Sequence, residues 1–200
     1  RRLTLNNAVQ DPARISEHVS YGFYAAVGIA APRHAYACLT VNGQPFGLYS
    51  MPETLDEVWV ADQFTEEGGF LLEGGGLSDF TIERAAEFEV EEGDDSFAIE
   101  TVAETVAGLE AVVSGGLLPF LSARFAPNTL DFFAASLILG DADGYVANAN
   151  NFLVYYSPST NQFQFVPWGQ DSNLRRAIPI FSPSAGAGGE LGTLYARCID

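Results

Sequence analysis

Lysine is missing from the chain. All nine basic residues among the 200 are arginines. A Walker-type P-loop, a Schiff-base enzyme and a serine–lysine dyad each require a lysine amine, so this chain alone cannot house any of them. Acidic residues are in large excess, and the formal net charge is −17 at pH 7. Such a surface repels phosphate backbones, so we expect no sequence-independent binding to nucleic acid and no basic-patch binding to anionic membranes.

Long apolar runs and abundant cysteines are missing as well. No apolar run reaches the ~18 residues of a membrane span, so we expect no membrane insertion. The two cysteines, Cys38 and Cys198, form neither a zinc-binding pattern nor a CxxC pair. They are either bonded to each other or two separate buried thiols. No leader pattern opens the chain, and its first residues have the composition of a strand interior, so we expect a fragment of a longer protein.

Hydrophobic residues make up 48% of the chain, which suffices for one packed domain. Asp11-Pro12 predicts the start of a helix, and the apolar spacing carries that helix to Val27, where Gly28 stops it. Asn42-Gly43 predicts a tight hairpin turn. The strands expected on either side of this turn are 35–41 and 46–51.

The remainder is predicted to be mainly helical up to a second hairpin. The expected helices are 55–64, 97–113, 117–125 and 129–139, the expected strands are 70–72, 152–156 and 163–166, and Gly140 ends the last helix. The acidic run from Glu83 to Asp95 is interpreted as a solvated face or loop rather than a metal cage. The Pro/Gly-rich tail over 179–192 is predicted to be a loop.

Polar side chains flank the second hairpin. Asp143, Asn150 and Asn151 precede it, and Asp171 follows it. Because a tight hairpin brings its two ends together, we expect Asp143, one of the asparagines and Asp171 to converge. Oxygen donors of this kind suit Mg²⁺ that is shared with substrate phosphates.

The order of these residues is that of a protein-kinase site. In such a site one Asp accepts the proton of the substrate hydroxyl, an Asn further along binds metal, and an Asp beyond a hairpin binds metal again. Acids and asparagines in turns also serve simply to bend and cap the backbone. The residues by themselves leave both interpretations open.

A series of short motifs is spread over most of the chain. They are Leu5-Asn6-Asn7, Asp11-Pro12-Ala13-Arg14, Val41-Asn42-Gly43, Gly47-Leu48-Tyr49, Asp143-Gly144-Tyr145, Asn150-Asn151-Phe152 and Pro167-Trp168-Gly169-Gln170-Asp171. In this order they resemble the CotH kinase family, the atypical protein kinases similar to spore coat protein H. The stretch over 74–127 matches that family only in general character.

The resemblance implies an α+β fold with two lobes, like that of protein kinases, in a single domain over residues 1–200. The N-terminal lobe, in truncated form, is expected over 1–75. The C-terminal lobe is expected over 76–200, mostly helical, with the catalytic loop and a β-hairpin at the active site. The implied activity is transfer of the γ-phosphoryl group of ATP to a Ser or Thr hydroxyl of a protein, with Mg²⁺ or Mn²⁺.

Site residues carry over from the family at matching positions. Asp143 is implied to be the catalytic Asp, Asn150 or Asn151 the metal-binding amide, and Asp171 the second metal ligand. Some family members have an Asp at the position of Gly169, so the metal cluster in this chain rests on Asp171.

Protein kinases also hold the α- and β-phosphates with a strand Lys that is paired with a helix Glu. Glu17 on the first helix is the candidate for that Glu, and Glu53 is either a contact to the nucleotide or a surface acid. The strand that should carry the Lys begins with Arg1 and Arg2. Either the Lys lies upstream of this chain, or one of the two arginines replaces it.

Two other functions remain compatible with the same residues. One is a pseudokinase or binding module that holds a nucleotide without turnover. The other is a structural or adhesive surface domain whose acidic loops bind Ca²⁺. The residues name no compartment and no oligomeric state, and the family's association with coats and secreted proteins implies a surface or extracellular setting.

Overall fold

A computed structural model of the chain describes residues 2–76, 78–175, 177–179 and 191–199. Small antiparallel sheets and several helices make it an α+β protein, as predicted. The helices are α1 Ser16–Ala26, α2 Glu57–Gln63, α3 Asp95–Glu110, α4 Leu117–Arg124, α5 Thr129–Leu139, α6 Tyr145–Asn148 and α7 Thr193–Ile199. The strands are β1 His34–Val41, β2 Gln44–Pro52, β3 Phe70–Gly74, β4 Glu89–Glu92, β5 Phe152–Ser157 and β6 Gln162–Pro167. Among the described residues, no helix has the length and apolarity that crossing a bilayer requires.

Helix α1 begins at Ser16, later than the Asp11-Pro12 signal predicts. Arg14 has a φ of 56°, in the left-handed region, so a right-handed helix cannot run through it. Asp11 lies outside the helix, and its Oδ2 accepts the backbone N–H of Ser16 at 2.7 Å. The N-cap residue is Ile15, which makes no side-chain capping bond, so the predicted helix start at Asp11-Pro12 was wrong.

Strands β1 and β2 form the predicted hairpin. Asn42 and Gly43 both have positive φ, at 51° and 78°, as a type I′ turn requires. The segment before α1 lies along the outer edge of β2, where Asn6 and Ser50 exchange two backbone hydrogen bonds of 2.9 Å. This pairing fixes Asn6 beside the end of β2.

The second sheet has the strand order β4-β3-β5-β6, and all its pairs are antiparallel. Central strand β5 is buried on both faces. Phe152, Val154 and Tyr156 contact the larger core cluster, whereas Leu153 and Tyr155 contact a smaller one. Because β3 pairs with β5, this sheet joins residues from both sides of the predicted lobe boundary after residue 75.

Helices cover the two faces of this sheet. On one face lies the larger cluster, packed with helices α1, α3, α4, α5 and α7; its fully buried aromatic side chains include Phe80, Phe125, Phe132, Phe163 and Phe165. On the other face, Trp59 of α2 and Leu55 pack with the smaller cluster. The sheet therefore holds its hairpin in a fixed position relative to the helices.

Part of the acidic run forms edge strand β4 and not only a loop. Glu89 and Glu91 are exposed, as expected for a solvated face, while Val90 and Glu92 are half-buried. This alternation has the period of two that is typical of a strand. The strand could not be recognised in the sequence because Val90 is its single apolar residue.

The outcome for the remaining predictions is mixed. Gly140 ends α5 in the left-handed region with a φ of 66°, as predicted. Short helices α6 and α7 were not predicted, and most of the tail over 179–192 lies outside the described residues. Cys38 and Cys198 are both free thiols, so the disulfide alternative is wrong; Cys38 is also exposed rather than buried.

We expect Phe165→Ala to destabilise the protein by about 3–5 kcal/mol, because its ring contacts those of Phe132 and Tyr145 in the larger cluster and truncation leaves a cavity. Urea unfolding measures the change. The control is Phe46→Ala, at a position that is 60% exposed. Equal losses for the two variants would contradict the assigned core.

Candidate active site

The loop between α5 and α6 carries Asp143. The carboxylate of Asp143 accepts hydrogen bonds from the side-chain amides of Asn148 at 2.8 Å, Asn150 at 3.3 Å and Asn151 at 2.9 Å. Gly140 turns the chain out of α5, and the single turn of α6 returns it to β5. Asp143 is thus held in one orientation by three amide donors.

The two candidate metal-binding amides differ in where their oxygens lie. Both amide nitrogens donate to Asp143, so both oxygens point away from it. Asn150 Oδ1 accepts the backbone N–H of Gly76 at 2.6 Å. Asn151 Oδ1 lies against Gly169, where an added Cβ would stand 3.1 Å from it. The oxygen directed toward the turn of Asp171 is therefore that of Asn151.

The pairing of β5 with β6 brings the polar residues that precede the hairpin and those that follow it to the same end of the sheet. Phe152 at the start of β5 is opposite Pro167 at the end of β6. Gly169 follows in the left-handed conformation, with a φ of 60°, and an added Cβ would stand 2.8 Å from Asn151 Cγ. Glycine at this position leaves the space that Asn151 occupies.

Asp171 and Glu17 are brought together by Asn6. Asp171 Oδ2 accepts a hydrogen bond of 3.0 Å from Asn6 Nδ2. Glu17, on α1, is only 5% exposed and accepts hydrogen bonds from the Ser50 hydroxyl and from Asn6. Burial raises the pKa of Glu17, and the charge of Asp171 adds to this rise, whereas hydrogen bonding to Ser50, Asn6 and Tyr21 opposes it. The two acids are therefore close enough to feel each other's charge.

A buried polar network joins the loop of Asp143, the turn of Asp171 and helix α1. Gln170 Nε2 donates to Asp141 Oδ2 at 3.2 Å. Asn173 Nδ2 donates to Gln170 Oε1 at 2.6 Å and to Ser20 Oγ at 3.0 Å. Three segments that are distant in sequence thus share one chain of hydrogen bonds.

Asp141 is the site residue that sequence reasoning missed. It is 1% exposed, and burial raises its pKa to about 7, with a further contribution from the charge of Asp143; the hydrogen bond from Gln170 opposes the rise. Gly144 packs so closely on this carboxylate that an added Cβ would collide with it. The Asp-x-x-Gly spacing was visible in the sequence, but nothing there showed that the acid is buried.

Glu53 lies apart from both the Asp143 loop and the turn that carries Asp171. It follows β2 and binds the guanidinium of Arg33, with Nε 2.9 Å from Oε2 and 3.1 Å from Oε1. The guanidinium holds the pKa of Glu53 below its usual value. Glu53 and Arg33 line a cavity of about 350 Å³ together with Arg2 and Thr4.

Arg2, one of the two arginines considered as replacements for the missing Lys, is not among the groups that shift the pKa of Glu17. Arg2 is exposed, and its charge acts on Glu92 of β4. Arg1 lies outside the described residues.

A divalent cation fits these donors only if amide and phosphate oxygens complete its shell. Among the described residues, no group of three or more His, Cys, Asp or Glu side chains could hold a metal ion. Asn151 Oδ1 and the Asp171 carboxylate are hard oxygen donors of the kind that Mg²⁺ takes together with waters and substrate phosphates. In the described part of the chain, Oδ1 of Asp171 accepts no hydrogen bond. The residues present therefore fit a cation that is shared with a phosphorylated substrate.

The chain is similar to a known protein family and to two individual proteins. A family model described as "CotH kinase protein" matches residues 1–111. Inner spore coat protein H of Bacillus subtilis (strain 168) is 22% identical over 191 residues, which cover 89% of this chain and 51% of that protein. An inner spore coat protein H-like protein of the same organism is 41% identical over 49 residues, or 24% of this chain and 16% of the relative. The chain spans about half the length of the first relative.

We expect the stability of the protein to fall as the pH rises from about 4 to about 7, in part through Asp141. Its pKa is raised in the folded state from 3.8 to about 7, so across this window the folded chain binds the proton more tightly than the unfolded chain. Above the folded pKa the ionised, buried carboxylate destabilises the fold.

Urea unfolding at about pH 5 and about pH 8 measures this effect in Asp141→Asn. The difference in unfolding free energy between the two pH values should shrink in the variant. Glu100→Gln makes the same charge change at an exposed position of α3 and serves as the control. Equal pH dependence in the two variants would contradict the effect assigned to Asp141.

Proposed function

The chain belongs to the CotH kinase protein family, and from that premise we propose that it is an atypical protein kinase. It transfers the γ-phosphoryl group of ATP to a Ser or Thr hydroxyl of a protein, with Mg²⁺ or Mn²⁺. The observation that carries this proposal is the Asp143 carboxylate, which three asparagine amides hold before the first strand of the β5–β6 hairpin, at the same end of the sheet as Asp171 after the second strand.

Asp143 acts on the nucleophile. All three hydrogen bonds that orient it come from side-chain amides, so its oxygens are fixed in direction and remain able to accept a proton. The substrate hydroxyl passes its proton to Asp143 as its oxygen forms a bond to the γ-phosphorus, and the bond from that phosphorus to the β-phosphate oxygen breaks, which releases ADP.

Asn151 and Asp171 are the residues that would hold the divalent cation. When bound, such a cation would supply compensation for the charge that develops on the transferring phosphoryl group. Asn151 is favoured over Asn150 because the oxygen of Asn150 is bonded to Gly76, whereas that of Asn151 lies beside Gly169, two residues before Asp171. In a chain with a net charge of −17, this cation also offsets the repulsion between the site's acids and ATP.

The two-lobed arrangement belongs to the same proposal. Hairpin β1–β2 with α1 corresponds to the smaller lobe, and the four-stranded sheet with the remaining helices corresponds to the larger one. Helix α1 contacts both β1 and the turn Gln170–Ser172, and these contacts support Glu17 as the counterpart of the kinase helix Glu. The cavity beside Glu53 is where a contact between Glu53 and the nucleotide would occur.

The setting is proposed from the relatives. Both are named as spore coat proteins, and we place this chain likewise in a coat or other surface layer, where its protein substrate presents hydroxyl groups.

A pseudokinase is the second candidate. Two observations favour it. This chain contains no Lys that could hold the phosphates, and the neutral Asn6 side chain stands between Glu17 and Asp171. This candidate binds the nucleotide and does not turn it over.

Asp171→Ala should abolish both metal-dependent ATP binding and phosphoryl transfer, because it removes the carboxylate of the cation site. Asp143→Asn should retain ATP binding and lower turnover by about 10²- to 10⁴-fold, since it removes the proton acceptor. Isothermal titration with ATP and Mg²⁺ and a radiolabelled transfer assay measure the two steps. Asp131→Ala, at an exposed position of α5, is the control.

The same assays separate the alternatives. Retention of both binding and turnover in Asp171→Ala would refute the site. ATP binding without turnover in the unmodified protein would favour the pseudokinase. Thermal stabilisation by Ca²⁺ alone, without a response to ATP and Mg²⁺, would favour an adhesive domain.

A further inference from the structure

Asn6 occupies the position between the helix acid and the acid after the hairpin. Its side-chain nitrogen donates to Asp171 Oδ2 at 3.0 Å, and its side chain also hydrogen-bonds Glu17. Among the described residues, the groups that act on these two acids by hydrogen bonding are neutral, namely Asn6 for both acids and the hydroxyls of Ser50 and Tyr21 for Glu17. In ordinary protein kinases a Lys on a neighbouring strand pairs with the helix Glu.

The orientation of the Asn6 amide is fixed by its other contacts. The backbone N–H of Ala8 donates to Asn6 Oδ1 at 2.9 Å, so the oxygen faces the turn and the NH₂ group faces the acids. Its backbone makes both hydrogen bonds to Ser50, the residue whose hydroxyl binds Glu17. The main chain, the amide oxygen and the amide nitrogen of Asn6 are all engaged, which makes it a rigid bridge.

We propose that Asn6 is a positioning residue of the phosphoryl-transfer site, a neutral bridge between Glu17 and Asp171. This rests on the proposed function. By engaging Oδ2 of Asp171, Asn6 would leave Oδ1 to a cation, and by holding Ser50 and Glu17 it keeps helix α1 against the turn. An amide offers the α- and β-phosphates no charge, so this bridge positions the acids and does not itself compensate the charge of the nucleotide.

Asn6→Leu removes the bridge with little change in side-chain size. We expect it to weaken binding of Mn²⁺–ATP by about 10- to 100-fold, the effect of losing hydrogen bonds to charged groups. Asn7→Leu is the matched control, because Asn7 is exposed and makes the same local bond, from its Oδ1 to the N–H of Val9 at 3.1 Å. Titration calorimetry with Mn²⁺–ATP gives the affinities, and circular dichroism checks the fold.

Asn6→Lys tests the bridge in the opposite direction. An ammonium group between Glu17 and Asp171 puts a positive charge beside the nucleotide site. ATP binding at limiting Mn²⁺ should therefore tighten by about tenfold, and the affinity for ATP should depend less steeply on the Mn²⁺ concentration. A merely structural role for Asn6 would not change that dependence. If Asn6→Leu does not fold, this variant decides the question, and an unchanged Mn²⁺ dependence then overturns the proposal.

Failure of the bridge is distinguishable from failure of the kinase assignment. If Asn6→Leu binds Mn²⁺–ATP as tightly as Asn7→Leu while Asp171→Ala abolishes binding, the bridge is wrong and the proposed function stands. If Asp171→Ala also binds normally, the proposed function itself is wrong and the bridge falls with it.

Discussion

The candidate site depends on one buried chain of hydrogen bonds, from Asp141 through Gln170 and Asn173 to Ser20. Each of these side chains is buried, so a broken bond would leave a polar group without water or partner, at a cost that exceeds the small gain from an exposed bond. The network therefore permits a single arrangement of the loop before α6, the turn after β6 and helix α1. Asp143, Asp171 and Glu17 take their relative positions from this arrangement.

Rigidity comes from the sheet beneath the network. Strand β5 is buried on both faces and pairs with neighbours on both edges, so neither of its ends can shift without loss of core contacts. Asn151 precedes this strand directly, and Gly169 comes two residues after the end of its partner β6. The amide cluster is thus attached to the most constrained part of the fold, whereas Asn6 is attached through the edge of the smaller hairpin.

Sequence reasoning succeeded where the determining interaction is local. Asn42-Gly43 and Gly140 specify their turns because few other residues tolerate positive φ there. It failed at Arg14, whose left-handed conformation no neighbouring residue signals. It could be predicted that Asp143, the asparagines and Asp171 come to the same end of the sheet, because a hairpin brings its two ends together. The burial of Asp141 could not, because its partner Gln170 comes from 29 positions further along the chain.

The contact between Asn6 and Asp171 spans 165 positions, and this has a consequence for biosynthesis. Asn6 leaves the ribosome 165 positions ahead of its partner acid, which emerges only after most of the described fold has been translated. During translation the segment that carries Asn6 lacks its contact with Asp171, which forms only after β6 and the following turn have been made. A nascent chain, or a product, that stops before β6 lacks Asp171 and cannot bring it to Asn6. The candidate site is therefore completed only after the turn that follows β6 has been translated.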